Sequence, residues 1–290
     1  SYTVEYTTDG QSVNLIYSDA TKGWIPLEDD VVADEPTPPS TQKAAFAYGQ
    51  VGSSSNTSVK NLMNSSGVIA SDVTGVGTAR RMISGATYGL DKGIFAFGYT
   101  SSNVSLKNLM NNSGVIAADV TGVGTARRGT GSTGYGVDTA IYAFGLAGAN
   151  TNVSNLVSNV GVVASDTAGV GTARAELVGV RYGTDKAIVS FGTTGKTNLI
   201  SNLGVVSSDV TQVGTSRTDP GAATYGTGTA AIAYGSGVTN IKNLISNVGV
   251  VGSDVTGVGT ARGSIAGAGY GGDKGAFAYG TTGGTNYVSL

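Results

Sequence analysis

Short apolar runs closed by glycine recur along most of the chain, and their spacing is the first thing the sequence gives to work with. Examples are Phe46-Ala47-Tyr48-Gly49, Phe95 to Gly98, Ile141 to Gly145, Ile188 to Gly192, Ile232 to Gly235 and Phe277 to Gly280. The runs are too short for helices. They are rich in Val, Ile, Ala and aromatic residues and punctuated by turn formers, which is the signature of strands. A second string, Gly-Val-Gly-Thr-Ala-Arg, occurs at 75–80, 122–127, 169–174 and 257–262, with a variant from Gln212 to Arg217. The spacings are 47, 47, 43 and 45 residues. Such a period belongs either to propeller blades or to helical solenoids, and the absence of long 3.6-periodic stretches favours strands.

Each repeat divides into four strand-like pieces. The first runs into Tyr-Gly (Tyr88-Gly89, Tyr135-Gly136, Tyr182-Gly183, Tyr225-Gly226, Tyr270-Gly271), and the turn after it often carries Asp-Lys. The second is the apolar, aromatic-Gly run. The third carries Asn-Leu (Asn61-Leu62, Asn108-Leu109, Asn155-Leu156, Asn198-Leu199, Asn243-Leu244). A tight turn such as Asn159 to Gly161 leads to the fourth, and Asn and Gly suit it because both tolerate positive φ. A continuously apolar second strand fits an inner position covered on both faces. Six second and third pieces stand beside five first and fourth pieces. The count favours six blades with incomplete ends, one gap being filled by the N-terminal segment. The alternative is five blades, closed by pairing the last first-type strand with the opening three pieces.

Composition narrows the function. The chain has 47 glycines, 5 prolines and 12% charged residues against 40% hydrophobic, the reverse of a disordered chain. It has no Cys and no His, so disulfides, the usual structural zinc sites and His or Cys catalysis are all excluded. No metal or cofactor is expected. A net charge of −2 gives no electrostatic case for nucleic acid, and no apolar run approaches the ~20 residues of a membrane span, so no membrane insertion is expected.

The aromatic-Gly end of the second strand, the third-to-fourth hairpin and the Thr-Ala-Arg before each first strand resemble the kelch repeat. The double glycine and the repeated Trp of kelch are missing, so a kelch partner is not carried over. More closely, N-L-V-S-N-V-G-V-V-A-S-D, G-V-G-T-A-R and Y-G-x-D-K-A-I are similar to repeats of structural and tail-fibre proteins of marine, cyanophage-type tailed phages, over about 44–290. The implied fold is all-β: a kelch-like β-propeller of four-stranded antiparallel blades. Residues 1–28 read as an N-terminal β-hairpin attachment segment around Asp9-Gly10, similar to segments that precede varied domains in fibre-like proteins of those phages. Residues 29–43 read as an acidic, proline-bearing linker, and 44–290 as the propeller. So small an appendage is expected to need a partner chain or the propeller itself, and it points to homo-oligomer formation.

Two sets of residues are candidates for chemistry. An Asp stands eight residues before each repeated Arg: Asp72/Arg80, Asp119/Arg127, Asp166/Arg174, Asp209/Arg217 and Asp254/Arg262. These are expected to be structural ion pairs or Asx-turns that fasten the outer strand to the next blade, the alternative being a ring of ion sites. The second set breaks the repeat. In an antiparallel four-stranded unit the 2–3 loops and the 4–1 connections emerge at one end, and here both vary while the 1–2 and 3–4 turns stay nearly constant. Arg81, Met82, Tyr99, Arg128, Glu176, Lys196 and Asp219 are the candidate ligand-binding residues of that variable face. Glu176 and Asp219 lie in corresponding loops without an evident acid–base partner, so no enzyme is expected.

The expected function is a virion adhesin, a tail-fibre-like protein whose propeller recognises a host-surface receptor or glycan. The alternative is a purely structural virion or fibre component that contacts other virion proteins. An intracellular adaptor is disfavoured by the N-terminal segment.

Overall fold

The computed structural model describes residues 15–21, 23–26, 41–52, 54–211, 213–237 and 239–282. Among them there is no helix, and every strand pairing is antiparallel. The chain divides into two compact units, Ser1–Pro39 and Ser40–Leu290. In the first, β1 (Leu15–Asp19) pairs with β2 (Gly23–Pro26), and Tyr17 packs edge-on against Trp24. The hairpin expected around Asp9-Gly10, most of the linker and the N-terminal filling of a blade gap fall on residues outside the described ones.

The second unit is a series of small sheets. The first holds β3 (Ala44–Val51) and β4 (Ser55–Met63). The next is β5 (Ser84–Tyr88), β6 (Lys92–Ala96) and β7 (Lys107–Met110). Then come β8 (Gly131–Tyr135), β9 (Thr139–Leu146) and β10 (Asn150–Val157). They are followed by β11 (Val178–Tyr182), β12 (Lys186–Phe191) and β13 (Lys196–Ile200). The next sheet has β14 (Gly221–Tyr225), β15 (Thr229–Ala233), β16 (Ile241–Ile245) and the short β17 (Val255–Thr256). The last holds β18 (Ala266–Tyr270) and β19 (Lys274–Ala278). β18 hydrogen-bonds to β19 and β3 to β4, so the pairing that would close five blades is not made.

The fourth piece of each repeat is a weaker strand than its sequence suggests. It meets the third at isolated bridges, such as Lys107↔Val120 and Met110↔Ile116. The Asn of the third strand supplies the missing links: Asn108 Nδ2 donates to Ala117 O and to Asp119 Oδ1. The same two bonds recur at Asn61, Asn155, Asn198 and Asn243.

The apolar second strands form the core. Ile94, Ala140–Phe144, Ala187–Val189, Phe191, Ala230 and Ile232 are buried almost completely. Each sheet packs on the next through mixed clusters. Ile94 and Phe97 lie with Tyr142, Ile141 and Phe144 with Val189, and Ile188 and Phe191 with Ile232. Tyr48 of the first sheet meets Phe95 of the second, Tyr234 meets Phe277 of the last, and Tyr279 of the last meets Phe46 of the first.

Candidate functional site

The repeated Thr-Ala-Arg is the joint between sheets, and its geometry decides which residues remain for ligands. Each second strand ends in an aromatic residue with φ near +65°, followed by a glycine that is also left-handed. This double twist turns the aromatic carbonyl toward the repeated Arg. Arg127 Nε donates to Phe144 O at 2.8 Å, Nη2 to Tyr142 O and Nη1 to Thr125 O. Its guanidinium lies 4.1 Å from the centre of the Phe97 ring, which belongs to the preceding sheet. Arg80, Arg174 and Arg217 repeat this arrangement over Tyr48, Phe144 and Phe191. All four are essentially buried. Desolvation pulls the guanidinium groups of Arg127, Arg174 and Arg217 down to about 10, still well above neutrality.

The carboxylate that faces each Arg is not the one eight residues before it. Arg80 meets Asp119 at 3.7 Å and Arg127 meets Asp166 at 3.9 Å, while Asp209 and Asp254 act on Arg174 and Arg217. Those partners come from the following repeat. The same Asp accepts from the Thr of the motif: Thr125 N and Oγ1 both donate to Asp166, and Thr78, Thr172 and Thr215 do likewise to Asp119, Asp209 and Asp254. Burial opposes ionisation of Asp119, Asp166 and Asp209, yet the Thr and Asn donors and the Arg outweigh it and hold all three below the ordinary carboxylate range. For Asp254 the Thr215 hydroxyl is the largest influence, and it also lowers the group. The glycines of the motif follow from this contact. A Cβ on Gly124 (φ +98°) would sit 2.5 Å from Asn155 Nδ2 and Asp166 Oδ1, and one on Gly122 would lie 1.6 Å from Ser105 O.

The residue after each structural Arg is held differently. Arg81 exchanges both backbone hydrogen bonds with Tyr99, and Arg128 does so with Leu146. Both variable segments therefore lie side by side at one end of the sheets. There the guanidinium of Arg81 lies 4.9 Å from the Tyr99 ring centre, and that of Arg128 lies 4.6 Å from it. Two asparagines orient the pair: Arg81 Nη1 donates to Asn56 Oδ1 and Arg128 Nη1 to Asn103 Oδ1. Asn56 Nδ2 in turn donates to Tyr99 O, and Asn103 Nδ2 to Leu146 O. Arg81, Tyr99 and Arg128 thus form one half-buried cluster. Sequence reasoning missed Asn56 and Asn103, although both sit at matching places in the variable loops.

Met82, Glu176 and Asp219 form a second group. With Gly129 and Ser264 they occupy the second position after the Arg, all at φ between +49° and +59°. Gly129 N donates to Met82 O, Glu176 N to Gly129 O and Asp219 N to Glu176 O, linking four successive repeats. Protein encloses the Asp219 carboxyl on nearly all sides, though part of the residue keeps accessible surface. Desolvation, reinforced by the Glu176 charge, raises it to about 7. Lys196 pairs in the backbone with Phe191 at the start of β13, and no hydrogen bond or ion pair joins it to either group among the described residues.

Among the described residues no cluster of three or more His, Cys, Asp or Glu is placed to hold a metal. No family model and no curated protein matches the chain. One solved structure to which it is similar is described as a novel fungal alcohol oxidase with catalytic diversity among the AA5 family, in complex with copper. The match has a TM-score of 0.48 and 11% identity over 79% of this chain, and the chain spans just under two thirds of that protein's length (66%). At that distance the likeness fixes neither fold nor chemistry. The imidazole and thiolate donors that suit copper have no source in a chain without His or Cys.

Proposed function

We propose that the second unit is a six-bladed, kelch-like β-propeller and that the protein is a tail-fibre-like virion adhesin whose variable face binds an acidic group of a host-surface glycan. Sheet-to-sheet packing that runs in chain order, with Tyr279 of the last sheet against Phe46 of the first, supports the ring. The resemblance of the repeats to those of tailed-phage structural proteins supports the setting. The exposed Leu15, Ile16, Tyr17 and Trp24 of the N-terminal hairpin suit a contact between copies in a fibre, which would add avidity to weak single sites.

The observation that carries the ligand class is the Arg81–Tyr99–Arg128 stack. Both faces of the phenol ring are already covered by guanidinium groups, so it cannot stack a sugar. What the cluster offers is two pre-oriented cations, each with N–H donors beyond the one given to its asparagine, which suits a carboxylate or sulfate. The test is a glycan array with the purified chain, repeated with Arg81→Ala/Arg128→Ala. Binding confined to acidic glycans and lost in the double variant is expected. Retention of binding by that variant, or its loss on changing Lys92 and Lys186 at the opposite end, sinks the assignment.

A second reading, assembly with other virion proteins, has its own observation. The constant end carries exposed Leu90, Val137, Val160, Leu203 and Val248 in its turns. Such a repeated apolar rim fits a protein contact. Array silence together with location inside purified particles by labelled electron microscopy would favour it.

A further inference from the structure

Six aromatic steps stand in the second unit, at Tyr48, Phe97, Phe144, Phe191, Tyr234 and Tyr279, all with φ near +65°. Five carry a stacked guanidinium, from Arg80, Arg127, Arg174, Arg217 and Arg262. The sixth, Tyr279, has no counterpart in the sequence. Of eight arginines, the remaining three are Arg81, Arg128 and Arg181. Arg81 and Arg128 stack on Tyr99, and Arg181 donates to Gly136 O and Thr184 O.

The acceptors for a sixth guanidinium are nevertheless built. Tyr279 packs on Phe46 at 5.3 Å much as Tyr48 packs on Phe95 at 5.6 Å. Over Tyr48 lies Arg80, which donates to Phe97 O and to Asn108 Oδ1 and faces Asp119. The matching atoms of the first sheet are Tyr48 O, Asn61 Oδ1 and Asp72. Asn61 pairs with Phe46 as Asn108 pairs with Phe95, so the two asparagines share one register. Asn61 is 3% exposed, and its Oδ1 has no hydrogen-bond partner among the described residues. The Asp72 charge reaches the Tyr279 phenol as the Asp119 charge reaches that of Tyr48.

The strand that should follow such an arginine is missing at the same place. β6, β9, β12, β15 and β19 each pair with a first-type strand, but among the described residues β3 pairs with β4 alone. Ala44 and Ala45 are accordingly only half-buried, whereas Gly93 and Ile94 of β6 are buried. The residues just before β3 include Pro36, Pro38 and Pro39, which have no N–H to give to a ladder.

We propose that this edge is a docking site for a partner polypeptide that supplies an arginine followed by a β-strand. The arginine stacks on Tyr279 and bonds Asn61 and Asp72, and the strand pairs with β3 by β-augmentation. The chemistry it fits is that of the repeat's own segment 257–270, because Lys43 to Gly49 (K-A-A-F-A-Y-G) nearly repeats Lys274 to Gly280 (K-G-A-F-A-Y-G), the strand with which 266–270 pairs. The inference does not depend on the ligand face.

The experiment is fluorescence anisotropy of a labelled synthetic peptide, residues 257–270, titrated with the full chain. Saturable binding is expected, weakened at least roughly tenfold in the peptide carrying Arg262→Ala and in the protein variant Asp72→Asn. Asp119→Asn, which alters an equivalent carboxylate already paired with Arg80, leaves the affinity unchanged, and melting curves establish that each variant is folded. Equal affinity for the Arg and Ala peptides, or no saturable binding to the folded chain, overturns the proposal. If a second copy were the donor, the protein would sediment as an oligomer that the peptide splits into monomers, and the separate partner would be excluded.

Discussion

Replacing Arg127 with Ala tests whether the joint between sheets rests on a buried cation. Arg127 is completely buried, and its loss strips a donor from Phe144 O and from Tyr142 O, both in fully buried surroundings. Each such acceptor left without a partner costs about 1–3 kcal/mol. The stack on Phe97 adds up to about 2 kcal/mol for a desolvated pair. These losses overlap, because the side chain leaves as a unit, and the expected total is on the order of 3–5 kcal/mol. At roughly 2–4 °C per kcal/mol for a chain of this size, the melting temperature falls by on the order of 10 °C. Arg127→Met keeps much of the volume without the donors and should fall nearly as far. Asp166→Asn should cost only about 1 kcal/mol, since the carboxylate is partly solvated and Thr125 and Asn155 can still donate to the amide oxygen. Urea unfolding of the three variants provides the comparison. A Met variant as stable as the parent, or an Asp166 variant as damaged as Arg127→Ala, would refute the reasoning, because the first makes the buried bonds dispensable and the second places the energy in the ion pair.

Asp219, raised to about 7 in the folded chain against 3.8 ordinarily, binds its proton more tightly folded than unfolded. Its contribution is therefore complete below about pH 4 and is lost as pH climbs to about 7, with a limiting slope near 1.4 kcal/mol per pH unit; Asp219→Asn should remove that part of the slope in urea midpoints and stabilise the chain at pH 8. Gly124→Ala combines positive φ with a Cβ driven into Asn155 and Asp166, and calorimetry should register a loss of about 1–3 kcal/mol. Tyr99→Ala should cost little stability, about 1 kcal/mol, because Tyr99 is only half-buried, but it frees Arg81 and Arg128 to move and should weaken acidic-ligand binding on the array as much as removal of one Arg.

The strands were legible because their signals are local. Aromatic-Gly ends, Tyr-Gly turns and Asn-x-Gly hairpins each report backbone conformation within a few residues, and the glycines at 67, 114, 161, 204 and 249 do adopt positive φ. The ion pairing was not local. The constant separation of eight between Asp and Arg suggested a pair, but both residues merely flank the same loop, whose Arg reaches forward. The true separations, 39 for Arg80–Asp119 and Arg127–Asp166, 35 for Arg174–Asp209 and 37 for Arg217–Asp254, vary with the length of the 2–3 loop, so no fixed spacing could reveal them. The weak fourth strand was also hidden, because Asn side chains replace ladder bonds that backbone propensity counts as present.

The same distinction explains how a site arises on so regular a scaffold. In an extended segment successive side chains point to opposite sides. At Thr-Ala-Arg the first Arg turns inward to the aromatic step, so whatever follows it turns toward the variable end. Only two repeats follow it with a second Arg, at 80–81 and 127–128, and they are consecutive. The loop between their strands carries Tyr99, which is therefore within reach of both outward guanidinium groups. Ala175, Thr218 and Gly263 occupy the same place in the other repeats and bring no charge. The repeated arginine is committed to packing and cannot meet a ligand without unfolding the joint. The doublet separates the two tasks by one residue, which lets the face change its ligand without disturbing the fold beneath it.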